Sequence, residues 1–201
     1  MKEYILQNKD KLTRKFKWTV IILTGGFIVM EFYNCYHANC SSTTQLTIGF
    51  IMTLLVLPIF FLVFEIIPGF IEYRRTDEFF ETTSVNGLLK NGFKKDVDNK
   101  DSKWFLSKLI LVGPFDKYEM ICEIEQGRLR VIAKSNYDHL DNWDNKEIKA
   151  IQKLFSHVRF EYDGQGIATS LKMTKVKRMT FNDLQNYLGE FVKMLEKLKI
   201  E

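Results

Sequence analysis

The sequence predicts a membrane α-helical hairpin of two transmembrane helices, followed by a cytoplasmic α+β domain with an antiparallel sheet and packed helices. Three observations predict it. Two apolar stretches lie near the front of the 201-residue chain: Trp18–Met30, extended by Phe32, Tyr33 and Tyr36, and about Leu46–Ile71. Basic residues flank these stretches on one side only. From Asp77 onward, apolar residues recur first at helical spacing and then at alternate positions, with turn residues between the runs.

A bilayer core takes about 20 mostly apolar residues in a helix. The second stretch has that length with one internal charge, Glu65. The first reaches it once Glu31 and the following aromatics are included. A secretory signal peptide is the alternative for the first stretch. Basic residues do precede it, but no small-x-small cleavage pattern follows.

Residues 1–17 carry Lys2, Lys9, Lys11, Arg14, Lys15 and Lys17 against Glu3 and Asp10. The connector 34–45 has no Lys or Arg, and Arg74-Arg75 follows the second stretch. Positive charge stays on the cytoplasmic side. The expected organisation is therefore a basic cytoplasmic segment 1–17, a transmembrane hairpin 18–71 with a short outer loop, and a cytoplasmic domain 76–201. Trp18, Phe32, Tyr33, Tyr36 and Tyr73 fall where an aromatic belt lies. Cys35 and Cys40 share the outer loop; they either close it with a disulfide or stand as two thiols. One His between them, His37, does not make a metal set.

Two carboxylates sit inside the hairpin. Glu65 lies one or two helical turns before the inner end of its span, and Glu31 near the outer end of the first. A charge at such depth faces protein or water. Either Glu65 side chains from several subunits line a cation path, or Glu65 is interfacial and pairs with Lys17 or Arg74 of a neighbour. Pro58 in mid-span and Pro68-Gly69 at the inner end kink or hinge the helix. Gly25-Gly26 allow close helix approach. Two helices cannot enclose a pore, so conduction requires a homo-oligomer of four or more subunits. The link 72–76 is too short for a floppy tether.

The domain carries 23 basic and 21 acidic residues from Glu72 onward, so it is no bulk polyanion binder. Asp77–Lys95 reads as a helix weakened at Gly87 and Gly92, with Phe79, Phe80, Leu88, Leu89 and Phe93 inward. A charged loop over 97–103 follows. Strands are expected at about 105–112, 118–125 and 128–134, with turns at Gly113-Pro114 and Gln126-Gly127. A helix over 146–155 turns Ile148, Ile151, Leu154 and Phe155 inward. A hairpin over 158–173 turns at Asp163-Gly164-Gln165-Gly166. The last helix starts at Thr180 as N-cap, with Asp183 in a capping-box place and a stripe of Leu184, Leu188, Phe191, Leu195 and Leu198. Runs of strands between helices indicate an α+β domain. The order of elements is similar to that of the secretion-chaperone-like fold, which by itself says little about function.

Phosphate-binding loops, zinc-protease and serine-hydrolase motifs are absent. The sequence predicts a protein that is not an enzyme and needs no cofactor or metal. The loop around His139 lacks the spacing of a calcium-binding loop, and Cys122 reads as a packing residue. Basic residues do cluster. Arg128, Arg130 and Lys134 alternate on one strand, and Lys172, Lys175, Lys177 and Arg178 end another. These either hold phosphates, with Tyr137 or Trp143 stacking on a base, or form a solvated lysine-rich face.

Spans at 18–36 and 46–71 followed by a soluble domain of about 125 residues resemble the small two-helix membrane effectors of bacterial anti-phage systems, among them that of the Hailong system. The resemblance implies an oligomeric, ligand-gated channel in the bacterial inner membrane. It also implies a partner nucleotidyltransferase whose product, a nucleotide or short single-stranded DNA, is the ligand. The other function expected from the layout is a membrane-anchored adaptor whose domain docks a partner protein.

Overall fold

The structure, a computed structural model, describes residues 1–37, 41–98, 102–135, 145–163 and 166–199. It divides into two units, Met1–Arg74 with Asn99–Ser107, and Arg75–Asp98 with Lys108–Glu201.

The first unit is a helical hairpin. Helix α1 runs Lys2–Tyr36, so the basic segment 1–17 is helical from its start. Helix α2 (Thr43–Ile51) passes into a π-turn (Met52–Val56) and then into α3 (Leu57–Phe80). A capping box starts α2: the Gln45 N–H donates to Ser42 Oγ at 3.3 Å and the Ser42 N–H to Gln45 Oε1 at 2.8 Å. The π-turn follows from Pro58, which cannot donate to the carbonyl four residues back. The Leu57 N–H reaches Met52 O instead, five residues back. The proline that the sequence marked as a kink is thus accommodated by a widened turn.

Both apolar stretches are long and apolar enough to cross a membrane. Most of their large side chains are exposed, with Ile22, Val29 and Phe32 on α1 and Leu55, Phe60 and Phe64 on the second helix among them, and in the α1 stretch only the stripe through Thr24, Phe27 and Glu31 is partly covered. A helix on a water-soluble surface would be apolar on one side only.

The helices pair antiparallel along their length. Tyr4 packs on Tyr73 at 5.5 Å between rings, Lys15 meets Glu65, and Phe27 meets Phe50 edge-on at 5.2 Å. Gly49 makes the close approach possible, because the Phe27 ring occupies the space its Cβ would need. Among the described residues nothing lies within 4 Å of where a Cβ on Gly25 or Gly26 would stand, so the close approach expected there is not made. Residues 102–107 also belong to this unit. The Ser107 N–H donates to Asn8 Oδ1 at 2.7 Å, and Lys11 Nζ donates to Ser107 Oγ at 2.9 Å. The sequence had placed these residues in the second domain, partly in its first long strand.

The second unit begins within α3. Helix α4 (Thr83–Lys90) follows a break at Glu81-Thr82, where the Thr82 hydroxyl donates to Phe79 O at 2.7 Å. The break was expected nearer Gly87. Gly87 instead receives the ring of Phe181, and Gly92, at φ +99°, ends the helix. Six strands follow: β1 (Lys94–Val97), β2 (Leu109–Phe115), β3 (Tyr118–Glu125), β4 (Arg128–Lys134), β5 (Phe160–Asp163) and β6 (Gly166–Lys172). They form one antiparallel sheet in the order β1-β2-β3-β4-β6-β5. Helix α5 (Asn145–Leu154) precedes β5, α6 (Met173–Val176) follows β6, and α7 (Phe181–Lys197) closes the unit. Leu154, expected inward, is exposed.

Leu111, Cys122, Val131 and Thr169 are register partners and share one sheet face. The Thr169 and Tyr187 hydroxyls lie 2.6 Å apart, which ties that face to α7. The five stripe residues of α7, Leu184 to Leu198, are all fully buried. On the other face Ile110, Ile121, Ile132 and Ala168 form a second buried cluster beside a belt of charge.

The α7 cap carries a pH dependence. The Asp183 carboxylate accepts from the Thr180 N–H at 2.9 Å and its hydroxyl at 2.8 Å. These bonds, the backbone one foremost, hold its carboxyl below the usual range. A depressed acid stabilises above its unfolded value and loses that contribution as pH falls through the folded one. Asp183→Ala should therefore lower the thermal midpoint at pH 7. The gap to wild type should close below about pH 4.

Candidate functional site

The hairpin carboxylates have different surroundings. Both oxygens of Glu65 accept from Lys15 Nζ, at 2.9 and 2.7 Å. Within the one chain, its partner is thus Lys15. Lys15 precedes Trp18 by about one helical turn, so the register sets Glu65, inside the apolar stretch of its own helix, level with the basic end of α1.

Glu31 is unlike it. Its Oε2 is buried with no hydrogen-bond partner among the described residues, and so is the Thr24 hydroxyl. Thr24, Phe27 and Glu31 follow at helical spacings of three and four, on the face that meets α2 through Phe27.

At the other end, Pro68 lies inside α3. Gly69 next to it leaves room for the Tyr4 hydroxyl, which a Cβ would strike. That hydroxyl is buried and has no hydrogen-bond partner among the described residues. Burial, then Glu72 and Glu65, hold the phenol above its ordinary pKa.

On the sheet, Arg128, Arg130 and Lys134 do share a face, but β3 answers them with acids. Arg130 contacts Glu123 at 3.0 Å and Glu125 at 3.4 Å, and Lys134 contacts Glu119 at 3.1 Å. Arg130 lies directly across from Glu123 in the register, so the pairs form a cross-strand ladder. Burial nevertheless raises the Glu123 carboxyl above its usual value, against the pull of Arg130. Two of the expected ligand-binding cations are thus engaged.

The others are not. Arg128 donates to Ser170 Oγ at 2.8 Å and faces Lys172 across the register. Lys172, Lys175, Lys177 and Arg178 are exposed at the end of β6, on α6 and just after it. Among the described residues none of these five cations has a carboxylate within 4 Å.

Tyr137, Trp143 and Cys40 lie outside the described residues, as does the loop around His139. Cys35 is exposed. Cys122 is fully buried, and burial pushes its thiol up to about 12, which leaves it inert as a nucleophile. Among the described residues no three His, Cys, Asp or Glu side chains converge as metal ligands do.

Sequence reasoning missed Lys15 as the partner of Glu65, and Trp104, whose ring stands 6.3 Å from that of Trp18. The signal for the second was present: Trp104-Phe105 is a bulky aromatic pair directly after a charged run. Comparison with family models, characterised proteins and solved structures finds no match for the chain.

Proposed function

We propose that the chain is a bacterial inner-membrane protein whose hairpin assembles, four or more copies together, into an ion-conducting path, both termini being cytoplasmic. The second unit is its sensor and takes an anionic ligand at Arg128, Lys172, Lys175, Lys177 and Arg178. In this reading it is a defence effector of the two-helix kind that its layout resembles. The ligand is then a nucleotide or short single-stranded DNA from a partner nucleotidyltransferase.

The observation that carries conduction is Glu31. A carboxyl oxygen buried without a donor is costly. In a stretch read as intramembrane it calls for water or a second subunit. Full-length protein in vesicles tests the reading. Cation flux should depend on added oligonucleotide, and particle images should show a ring. An intact assembly that conducts in neither state refutes it.

The sensor reading makes its own prediction. The paired substitution K175E/K177E should weaken binding of a short single strand at least about tenfold. It should also flatten the dependence of log affinity on log salt by about 1.4, two contacts at about 0.7 each. Titrations at several salt concentrations give both numbers.

A second reading has its own support. The in-chain Lys15–Glu65 pair satisfies Glu65 without any neighbour, as befits a membrane-anchored adaptor. Glu65→Leu should leave an adaptor's docking intact and change the conductance or selectivity of a channel.

A further inference from the structure

Between α1 and α3 lies an open cleft of about 440 Å³, lined among others by Lys15, Trp18, Ile22, Phe61, Glu65 and Trp104. Its two ends differ. The Lys15–Glu65 pair and the two indoles stand at one end. From there the lining becomes apolar along both helices, towards Ile22 on α1 and Phe61 on α3.

Resting on the membrane reading above, we infer that this cleft is a binding site for one phospholipid with a primary-amine headgroup, a phosphatidylethanolamine of the cytoplasmic leaflet. The polarity gradient runs in the direction a lipid requires. The basic end of α1 marks the water side, and the apolar residues follow towards the bilayer centre. The headgroup is complementary to the ion pair. Its phosphate accepts from the Lys15 ammonium, and its own ammonium donates to the Glu65 carboxylate. The two ions of the protein become a ring of four alternating charges. Glu65 keeps 45% of its side-chain surface exposed and Lys15 22%, so both can be reached. Trp18 and Trp104 are each about half exposed and flank the charges, where amphipathic rings sit at headgroup level. One acyl chain then lies along Ile22 and Phe61. A quaternary ammonium headgroup offers the same phosphate but no N–H for Glu65, which sets the preference.

The test uses the full chain with Trp143→Phe, leaving Trp18 and Trp104 in an intact cleft as reporters. It is placed in phosphatidylcholine vesicles in which a minor fraction of lipid is brominated on its acyl chains. Bromine on phosphatidylethanolamine should quench the tryptophans about threefold more than the same fraction on phosphatidylcholine. Glu65→Gln should abolish that difference, and Lys15→Gln should lower quenching by both lipids. Equal quenching by the two lipids in the unsubstituted cleft overturns the site while leaving the membrane reading intact. No quenching even in fully brominated vesicles overturns both.

Discussion

Replacing Glu31 with Gln should cut cation flux through the reconstituted protein about tenfold or more. At an effective dielectric of about 20, a carboxylate roughly 7 Å from a permeating cation contributes about 2 kcal/mol. Each factor of ten corresponds to about 1.4 kcal/mol. One such side chain per subunit multiplies the effect around a ring. The substitution keeps size and hydrogen-bonding capacity, so the helix seam around Thr24 and Phe27 stays packed. Flux assays on vesicles matched for protein content, with particle size checked in parallel, read the result. Undiminished flux from Glu31→Gln would place this carboxylate off the path and return it to the seam as an internal packing group.

Gly113→Val should lower the stability of the second unit by about 3 kcal/mol, among the larger costs of overpacking. A Cβ at this position would stand 2.6 Å from the Cα of Phe93 and 2.7 Å from its ring. The obstacle is backbone, which cannot swing aside as a side-chain tip can. Phe93 is itself 3% exposed, so it has no solvent to retreat into. For a unit of this size the thermal midpoint should fall by about 10–20 °C. A thermal scan in detergent, followed by the near-ultraviolet signal, measures it. A shift under a few degrees would show that β1 and the preceding turn move aside at little cost.

The same glycine shows where sequence reasoning stops. Gly113-Pro114 has the composition of a turn, yet both residues lie inside β2 and the turn comes at Asp116-Lys117. Beyond Val112 the strand β1 has already ended, so on that side Pro114 faces no partner that needs its missing N–H. Strand β1 itself, Lys-Lys-Asp-Val, is a charged edge strand with no apolar alternation to announce it. By contrast, the stripe of α7 and the strands β3 and β4 are fixed by periodicity and stand where the spacing puts them, while the two apolar runs announce long helices that overrun them, from Lys2 in the first and to Phe80 in the second. The candidate site was legible in residue type but not in pairing. That Arg130 and Lys134 share a face follows from alternation. That Glu123 and Glu119 oppose them depends on strand register, which a single strand does not encode. Likewise nothing local to Glu65 reveals that Lys15, fifty positions earlier, will reach it.

Residues 102–107 carry a practical lesson for anyone wishing to isolate the sheet-bearing half. A fragment starting at Arg75 looks like a clean excision on a linear map. It would retain Ser107 but lose Asn8 and Lys11, and it would keep Trp104 without its companion indole. Such a polypeptide should be sticky and prone to precipitate even if its sheet were sound. Trimming the excursion to a short glycine-rich bridge, so that Asp98 can still meet Lys108 as it does at 2.8 Å, is the way to obtain a well-behaved soluble sample.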